Sequence, residues 1–193
     1  MEIKRTFGIP FGLKVVTIAV MLIASTVSLS AQRIALTTNL LEDAVLTPNF
    51  GIDIAVADRQ SISFDLSCSP WKLSPQFFNK SMTFRAGYKY WFNQAFYAHH
   101  LCFDGVATST DCGAGKYAFK YEYVALGVGY GYSFIVGKRL NISPSIGVGL
   151  AYGNRYEGYD HMSGGGVGVE ATAKTGFSPF VTRLTITIQY ILN

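Results

Sequence analysis

Large apolar side chains alternate with small or polar ones along most of the chain that follows residue 30. A period of two places successive side chains on opposite faces of a β-strand, so each such run predicts a strand with one apolar and one polar face. The pattern is clearest between residues 180 and 190. There the predicted apolar face carries Phe180, Thr182, Leu184, Ile186, Ile188 and Tyr190, and the polar face carries Arg183, Thr185, Thr187 and Gln189.

Eight segments show this alternation, and the connections between them are alternately short and long. The short connections are predicted at residues 57–60, 92–94 and 137–139, and the long ones at residues 71–80, 107–121 and 154–178. Short turns at one end and long loops at the other are typical of a membrane barrel. We therefore predict an all-β fold, an eight-stranded antiparallel transmembrane β-barrel. The predicted strands are residues 33–46, 50–57, 61–68, 81–91, 95–106, 123–136, 140–152 and 180–190.

The first thirty residues have the organisation of a secretory signal peptide. Lys4, Arg5 and Lys14 precede an apolar stretch at residues 15–27, and small residues follow at 28–30. This order is typical of a cleaved signal. The alternative is an uncleaved membrane anchor, but the apolar stretch is shorter than the ~20 residues of a spanning helix. We predict a signal peptide at residues 1–30, a barrel domain at 31–193, and export to the outer membrane.

The net charge of the predicted mature chain argues against a nucleic-acid partner. The full chain has 16 Lys and Arg and 12 Asp and Glu. Cleavage after residue 30 removes Lys4, Arg5, Lys14 and Glu2, which leaves 13 basic and 11 acidic side chains. Binding to phosphates needs clustered Lys and Arg, which a nearly neutral domain does not supply.

The polar face of the predicted strands consists mainly of Gly, Ala, Ser and Thr, which fits a narrow lumen better than a solvated exterior. A soluble, lipocalin-like barrel, with its apolar face inward around a ligand, is the alternative. Five charged residues fall on the polar face, and we expect them to neutralise one another instead of lining a pore. They are Asp53, Asp65, Arg85, Lys89 and Arg183. Tyrosines near strand ends are predicted to form an interfacial girdle: Tyr88, Tyr90, Tyr130, Tyr132, Tyr152 and Tyr190.

One group of residues has the composition of a metal site: His99, His100, Cys102, Asp104, Asp111 and Cys112. Adjacent histidines on a strand point to opposite faces, so His99 and His100 cannot both bind one ion without distortion. We therefore expect no metal and no cofactor. Three cysteines are an odd number for an oxidising compartment, and one possible pairing joins Cys102 to Cys112 across the predicted loop and leaves Cys68 as a buried thiol.

Several short motifs resemble those of DUF3575, a Bacteroidetes family of unknown function. They are Thr38-Asn39-Leu40-Leu41, Thr47-Pro48-Asn49-Phe50-Gly51-Ile52-Asp53, Ser69-Pro70-Trp71-Lys72, Tyr88-Lys89-Tyr90-Trp91-Phe92 and Gly137-Lys138-Arg139-Leu140-Asn141. Asp53 stands where the family more often has Glu. The resemblance implies a predicted outer-membrane barrel found with fimbrial or other surface-assembly components, and it implies no established activity.

The predicted loop at residues 154–176 is the best candidate for recognition, because Arg155, Tyr156, Tyr159 and His161 lie among its glycines. A solvent-exposed cap without a ligand is the alternative. His161 also lies near Asp160 and Ser163, but the glycines that follow would not hold a catalytic geometry.

We predict a monomeric, non-catalytic barrel in outer-membrane lipid. Its expected role is structural or accessory at the bacterial surface, and the resemblance adds fimbrial or other surface-assembly proteins as partners. A lipid-modifying barrel enzyme is the second hypothesis.

Overall fold

The computed structural model of the protein describes residues 33–74, 77–114, 117–157 and 172–192. The predicted signal peptide lies outside these ranges. Within them the chain forms eight strands and one short helix, and no helix there is long and apolar enough to cross a membrane. The elements are β1 (Ile34–Asn39), α1 (Leu40–Ala44), β2 (Asn49–Ala57), β3 (Gln60–Ser74), β4 (Phe77–Trp91), β5 (Ala98–Ala114), β6 (Tyr117–Ile135), β7 (Leu140–Glu157) and β8 (Thr172–Ile191).

Each strand pairs antiparallel with the next along the chain, and β1 also pairs with β8, so the sheet closes on itself. The prediction of an all-β fold with eight antiparallel strands is confirmed. The first and last strands place residues 34 and 191 at one end of the barrel, which we call the terminal end. The β3–β4, β5–β6 and β7–β8 hairpins point to the other end, which we call the hairpin end.

Two predicted long loops are wrong, because strands continue through them. Residues 71–80 and 107–121 pair across β3, β4, β5 and β6 almost to the hairpin tips. The hydrogen-bond ladder needs only backbone groups, whereas the alternation used for prediction needs an apolar outer face. That face turns polar near the hairpin end, where Lys80 lies opposite Asp111 and Asp111 lies opposite Lys120.

The predicted first strand is also too long at its C-terminal end. β1 stops at Asn39, whose side chain accepts a hydrogen bond from the backbone N–H of Leu41 and so caps α1. Leu40 and Leu41, which interrupt the alternation, begin that helix. The connection from β1 to β2 therefore leaves the sheet at residue 40.

The barrel turns its large apolar side chains outward and its polar ones inward. Leu126 is 73% exposed on the outer face, whereas Asp53 is 0% exposed in the interior. In the part of the chain that the structure describes, buried apolar side chains form only two small clusters, of which one contains Ala35, Trp91 and Phe96. We call the outward apolar surface the apolar belt; among its residues are Phe64, Leu66, Phe84, Phe103, Leu126, Val128, Ile146, Val148 and Leu184.

A bulge in β8 reverses the inward and outward orientations that the alternation predicts for Phe180 and Thr182. The pairing of β7 with β8 shifts between Gly147 and Gly149, so both Val181 and Thr182 lie opposite one residue of β7. Val181 is consequently exposed, Thr182 is buried, and Phe180 packs against the small interior cluster of Val106, Ala125 and Ala151. The predictions that Phe180 and Thr182 face outward are therefore wrong.

Glycines allow the backbones of β6 and β7 to approach closely on the inner face. Gly127 lies opposite Gly149, and Gly129 lies opposite Gly147. A Cβ atom on Gly149 would collide with the carbonyl oxygen of Leu126 and with the Cα of Gly127. Both neighbours are backbone atoms, which cannot move aside without bending the strand.

We expect Gly149→Ala to lower the free energy of unfolding by roughly 1–3 kcal/mol, because the added methyl group overpacks this wall. Gly105→Ala is the matched control, since its Cβ would meet only Leu126 Cδ2 at 3.7 Å and Ala86 O at 3.9 Å. Unfolding in a urea titration measures both changes. Equal stability of the two variants would contradict the close packing of β6 on β7.

Candidate functional site

The interior near the terminal end contains an ion pair between β4 and β2. The Lys89 ammonium lies 2.5 Å from Asp53 Oδ2, and both side chains are almost completely buried. Gln189, which is 0% exposed, donates a hydrogen bond to the same carboxylate oxygen at 3.3 Å. The free-energy cost of burying the Asp53 carboxylate is therefore offset by one cation and one amide donor.

A second ion pair crosses the lumen between β8 and β5. Arg183 donates from Nε to Asp104 Oδ2 at 2.9 Å and from Nη2 to Asp104 Oδ1 at 2.6 Å. The relative exposure of the two side chains is 3% and 0%. This bidentate geometry matches the planar guanidinium to the carboxylate and fixes the distance between two walls of the barrel.

A third cation, Arg85, lies on the hairpin-end side of these pairs. Its Nη1 lies 3.7 Å from Asp65 Oδ2, and its Nε donates to the carbonyl oxygen of Thr182 at 3.1 Å. The Asp65 side chain is 26% exposed, so this pair is more hydrated than the other two. Arg85 thus links β4 to β3 by charge and to the bulge of β8 by a hydrogen bond.

All five charged residues of the predicted lumen network lie in the interior, where Asp104 is a sixth charged residue that the predicted network lacks. The three cations and two carboxylates of the predicted network leave one positive charge without a partner in a space that tolerates none. This imbalance was the signal for a sixth charged residue. The sequence places Asp104 only in the metal-like group, because the side chains of the fifth predicted strand, residues 95–106, alternate too poorly to assign it to a face.

Aromatic side chains close the terminal end of the lumen. The ring of Trp91 lies 4.2 Å from that of His100 and 5.9 Å from that of Phe96, and its indole nitrogen donates to Ser61 Oγ at 3.0 Å. The carbonyl oxygen of Phe96 accepts a hydrogen bond from Asn141 Nδ2 at 2.6 Å. Phe96 adopts a φ of 70°, a backbone conformation that these contacts stabilise.

At the hairpin end the lumen widens into a cavity of about 280 Å³, which we call the vestibule. Arg85 lies on its inner side, and threonine hydroxyls form a chain along one wall. In this chain Thr83 Oγ1 lies 2.8 Å from Thr108 Oγ1, which lies 3.4 Å from Thr110 Oγ1. The full lining is Glu42, Thr47, Ser67, Asn79, Ser81, Thr83, Arg85, Val106, Thr108, Thr110, Tyr121, Phe180, Val181 and Thr182.

His99 and His100 point to opposite faces of β5. His99 is exposed and its Nδ1 contacts the Tyr130 hydroxyl, whereas His100 is buried, with its Nε2 3.3 Å from Ser145 Oγ. Among the described residues no three His, Cys, Asp or Glu side chains are arranged to hold a metal. His100 packs against Trp91 in the aromatic closure, and Ser145 is buried beside it.

The suggested disulfide between Cys102 and Cys112 is wrong. Both cysteines lie on β5, where ten intervening steps of ~3.3 Å place them roughly 33 Å apart. A disulfide needs Cα atoms within about 7 Å. Cys102 is buried, and Cys68, expected as a buried thiol, is exposed on the outer face, and all three thiols are free.

The candidate recognition loop is shorter than predicted, because residues 154–157 and 172–176 belong to β7 and β8. Arg155 and Tyr156 are consecutive strand residues and therefore point to opposite faces. The Tyr156 ring lies 4.8 Å from Lys120 Nζ in a cation–π contact. Tyr159 and His161 lie outside the described residues.

We expect Arg183→Met to cost about 3–5 kcal/mol in the free energy of unfolding, because it leaves the Asp104 carboxylate buried without a partner. The double variant Arg183→Met/Asp104→Leu should recover most of this loss. Arg85→Met should cost less, since Asp65 is partly hydrated. Urea titrations of the three variants test these expectations, and a double variant as unstable as the single one would show that the pair is not the cause.

Residues 16–192 match the family described as "Protein of unknown function (DUF3575)". The match covers nearly the whole chain. The chain has no match among curated proteins or among solved structures. The chain thus belongs to the DUF3575 family, whose function is unknown.

Proposed function

We propose that the protein is a non-catalytic outer-membrane β-barrel with a closed lumen and a structural or accessory role at the bacterial surface. The observation that carries this proposal is the distribution of polarity across the wall, with exposed aliphatic and aromatic side chains outside and neutralised ion pairs inside. Such an exterior is unfavourable in water and favourable in hydrocarbon. A soluble ligand-binding barrel would have the reverse distribution.

The height of the apolar belt supports a membrane location. On the outer face of β4, Lys80 and Tyr90 bound an apolar stretch that contains Met82, Phe84 and Tyr88. About ten residues at ~3.3 Å each, tilted ~40° from the barrel axis, span roughly 25 Å. This is the height of the apolar band in known outer-membrane barrels.

Polar and aromatic side chains lie at the two edges of the belt. The outward row of Lys80, Asp111 and Lys120 lies on the side of the hairpin end. Near the terminal end the outer face carries tyrosines, which favour the interface between hydrocarbon and water. These tyrosines are Tyr88, Tyr90, Tyr130, Tyr132 and Tyr190, whereas Tyr152 lies toward the hairpin end.

Both ends of the barrel have features that suit an accessory role. In our proposal the signal peptide directs export, the terminal end faces the periplasm, and the hairpins of β3 to β8 extend beyond the outer leaflet. Their strands of 15–20 residues exceed the ~9–11 residues that cross a bilayer, so they present paired backbone outside the membrane. Fimbrial or other surface-assembly proteins are the proposed partners of this extension, and the barrel itself is a monomer.

We expect Leu126→Arg to reduce barrel stability by about 2–4 kcal/mol, because it places a charge near the bilayer midplane. Glu122→Arg is the matched control, since it places the same side chain on the same outer face of β6 at the polar edge of the belt. Refolding titrations into phosphatidylcholine vesicles measure both. The native protein should also fractionate with outer membranes, and recovery in the soluble periplasm would refute the proposal.

Planar-bilayer recordings of the purified protein should show no stable, large conductance. The aromatic closure of Trp91 and Phe96 and the ion pairs on its hairpin-end side occupy the lumen, so we expect no continuous aqueous path. Steady channel openings from a homogeneous preparation would contradict the closed lumen while leaving membrane insertion intact.

A further inference from the structure

The barrel wall has a gap on the hairpin-end side of β1 and β2, which we call the notch. β1 pairs with β8 only as far as Asn39 opposite Thr187, and β2 pairs with β3 only as far as Asn49 opposite Ser67. β8 continues toward the hairpin end to Thr172 and β3 continues to Ser74. Within the described residues no strand pairs with these two extended edges on the side of the notch.

Residues 40–48 lie across the notch, and we call this segment the cover. Its helix α1 packs against β8, and the Trp71 indole of β3 donates a hydrogen bond to the carbonyl oxygen of Leu46. The cover exposes apolar side chains beside the belt: Leu40 (38%), Leu41 (36%), Val45 (64%) and Leu46 (64%). It therefore completes the apolar surface without completing the hydrogen-bonded sheet.

Prolines occur on both edges that border the notch. The backbone N–H of Cys68 donates to Pro48 O in the cover, so the nitrogen of Pro70, two residues further along β3, faces the same side. Pro179 lies in the corresponding unpaired stretch of β8. A proline has no N–H to offer a neighbouring strand, which keeps such an edge from pairing.

The vestibule reaches the wall at this notch. Glu42 and Thr47 of the cover line the cavity, and so does Val181, which is 55% exposed on the outer face of the barrel. A residue that lines the cavity and is also exposed outside marks a place where the wall is thin. The notch thus lies between a polar cavity and the apolar belt.

The chemistry of the vestibule favours an uncharged, hydroxyl-rich ligand. Most lining residues carry a hydroxyl or an amide, and Thr182 Oγ1, although buried, has no hydrogen-bond partner among the described residues. The guanidinium of Arg85 is already engaged by Asp65 and by the Thr182 carbonyl. The Tyr121 ring adds a flat surface with a polar edge.

We propose that the notch is a lateral entrance through which the vestibule receives the sugar-like headgroup of a membrane amphiphile, while its hydrocarbon chain remains against the apolar side chains of the cover. This inference rests on the proposed membrane insertion. The headgroup satisfies the threonine hydroxyls and Thr182 Oγ1. The volume of about 280 Å³ is near the lower end for ligand pockets, which suits one small headgroup.

The test uses the protein reconstituted in phosphatidylcholine vesicles and titrated with octyl β-D-glucoside below its critical micelle concentration. The chain has two tryptophans, and Trp71 contacts the cover while Trp91 is buried at the terminal end. Entry of the amphiphile should therefore shift the Trp71 emission in a saturable way. Glucose alone and an octyl detergent with a zwitterionic headgroup should produce no saturable shift.

Thr108→Val/Thr110→Val should weaken the apparent affinity about tenfold, because two hydroxyl partners are lost. Ser109→Val is the matched control, since it changes the outward residue between them and should leave the affinity unchanged.

Saturable binding of glucose alone would overturn the lateral route, and an equal effect of Ser109→Val would overturn the site. If the folded, inserted barrel does not respond to octyl glucoside, the inference fails while the proposed function stands; failure to insert would refute the proposed function itself.

Discussion

Closing only eight strands into a ring leaves a narrow interior. Every inward side chain must fit that space, and every inward charge must be neutralised by a partner. The wall formed by β6 and β7 meets the first demand with glycine, as at Gly127 opposite Gly149, where backbone approaches backbone. The bidentate pair of Arg183 and Asp104 meets the second. These two solutions depend on each other, because the long arginine can cross the lumen only where the walls carry little side-chain volume of their own.

A feature of this fold could be predicted from the sequence only where apolar and polar side chains alternate and so assign each residue to a face. The strands and their inward charges, such as Asp53 and Lys89, were readable because alternation assigns each residue to a face. The hairpin extensions were missed because the outer face there is as polar as the inner one, for example at Lys80. The bulge before Arg183 was missed because nothing in the local sequence marks the register of the neighbouring strand.

The two ends of the lumen differ in their side chains and in how completely they are filled. The terminal end is filled by Trp91, Phe96 and His100, which pack ring against ring. The hairpin end holds a polar cavity lined by hydroxyls, and its wall is incomplete on the side of α1. We therefore expect passage through the barrel to be blocked at the terminal end and exchange with the surroundings to occur at the hairpin end. A closed terminal end beneath a polar cavity is consistent with the proposed binding of a headgroup and not with transport through the barrel.

Because of the bulge at Val181 and Thr182, the alternation of inward and outward side chains is shifted by one residue between the two halves of β8. In the half near residue 190 the odd-numbered side chains point inward, and in the half before the bulge the even-numbered ones do. Each half is correctly sorted only while the extra residue separates them. Losing or gaining a single residue here would invert one half against the other, exchanging its outward apolar side and its inward polar side. Along β8, then, the length of the chain is constrained as strictly as its composition.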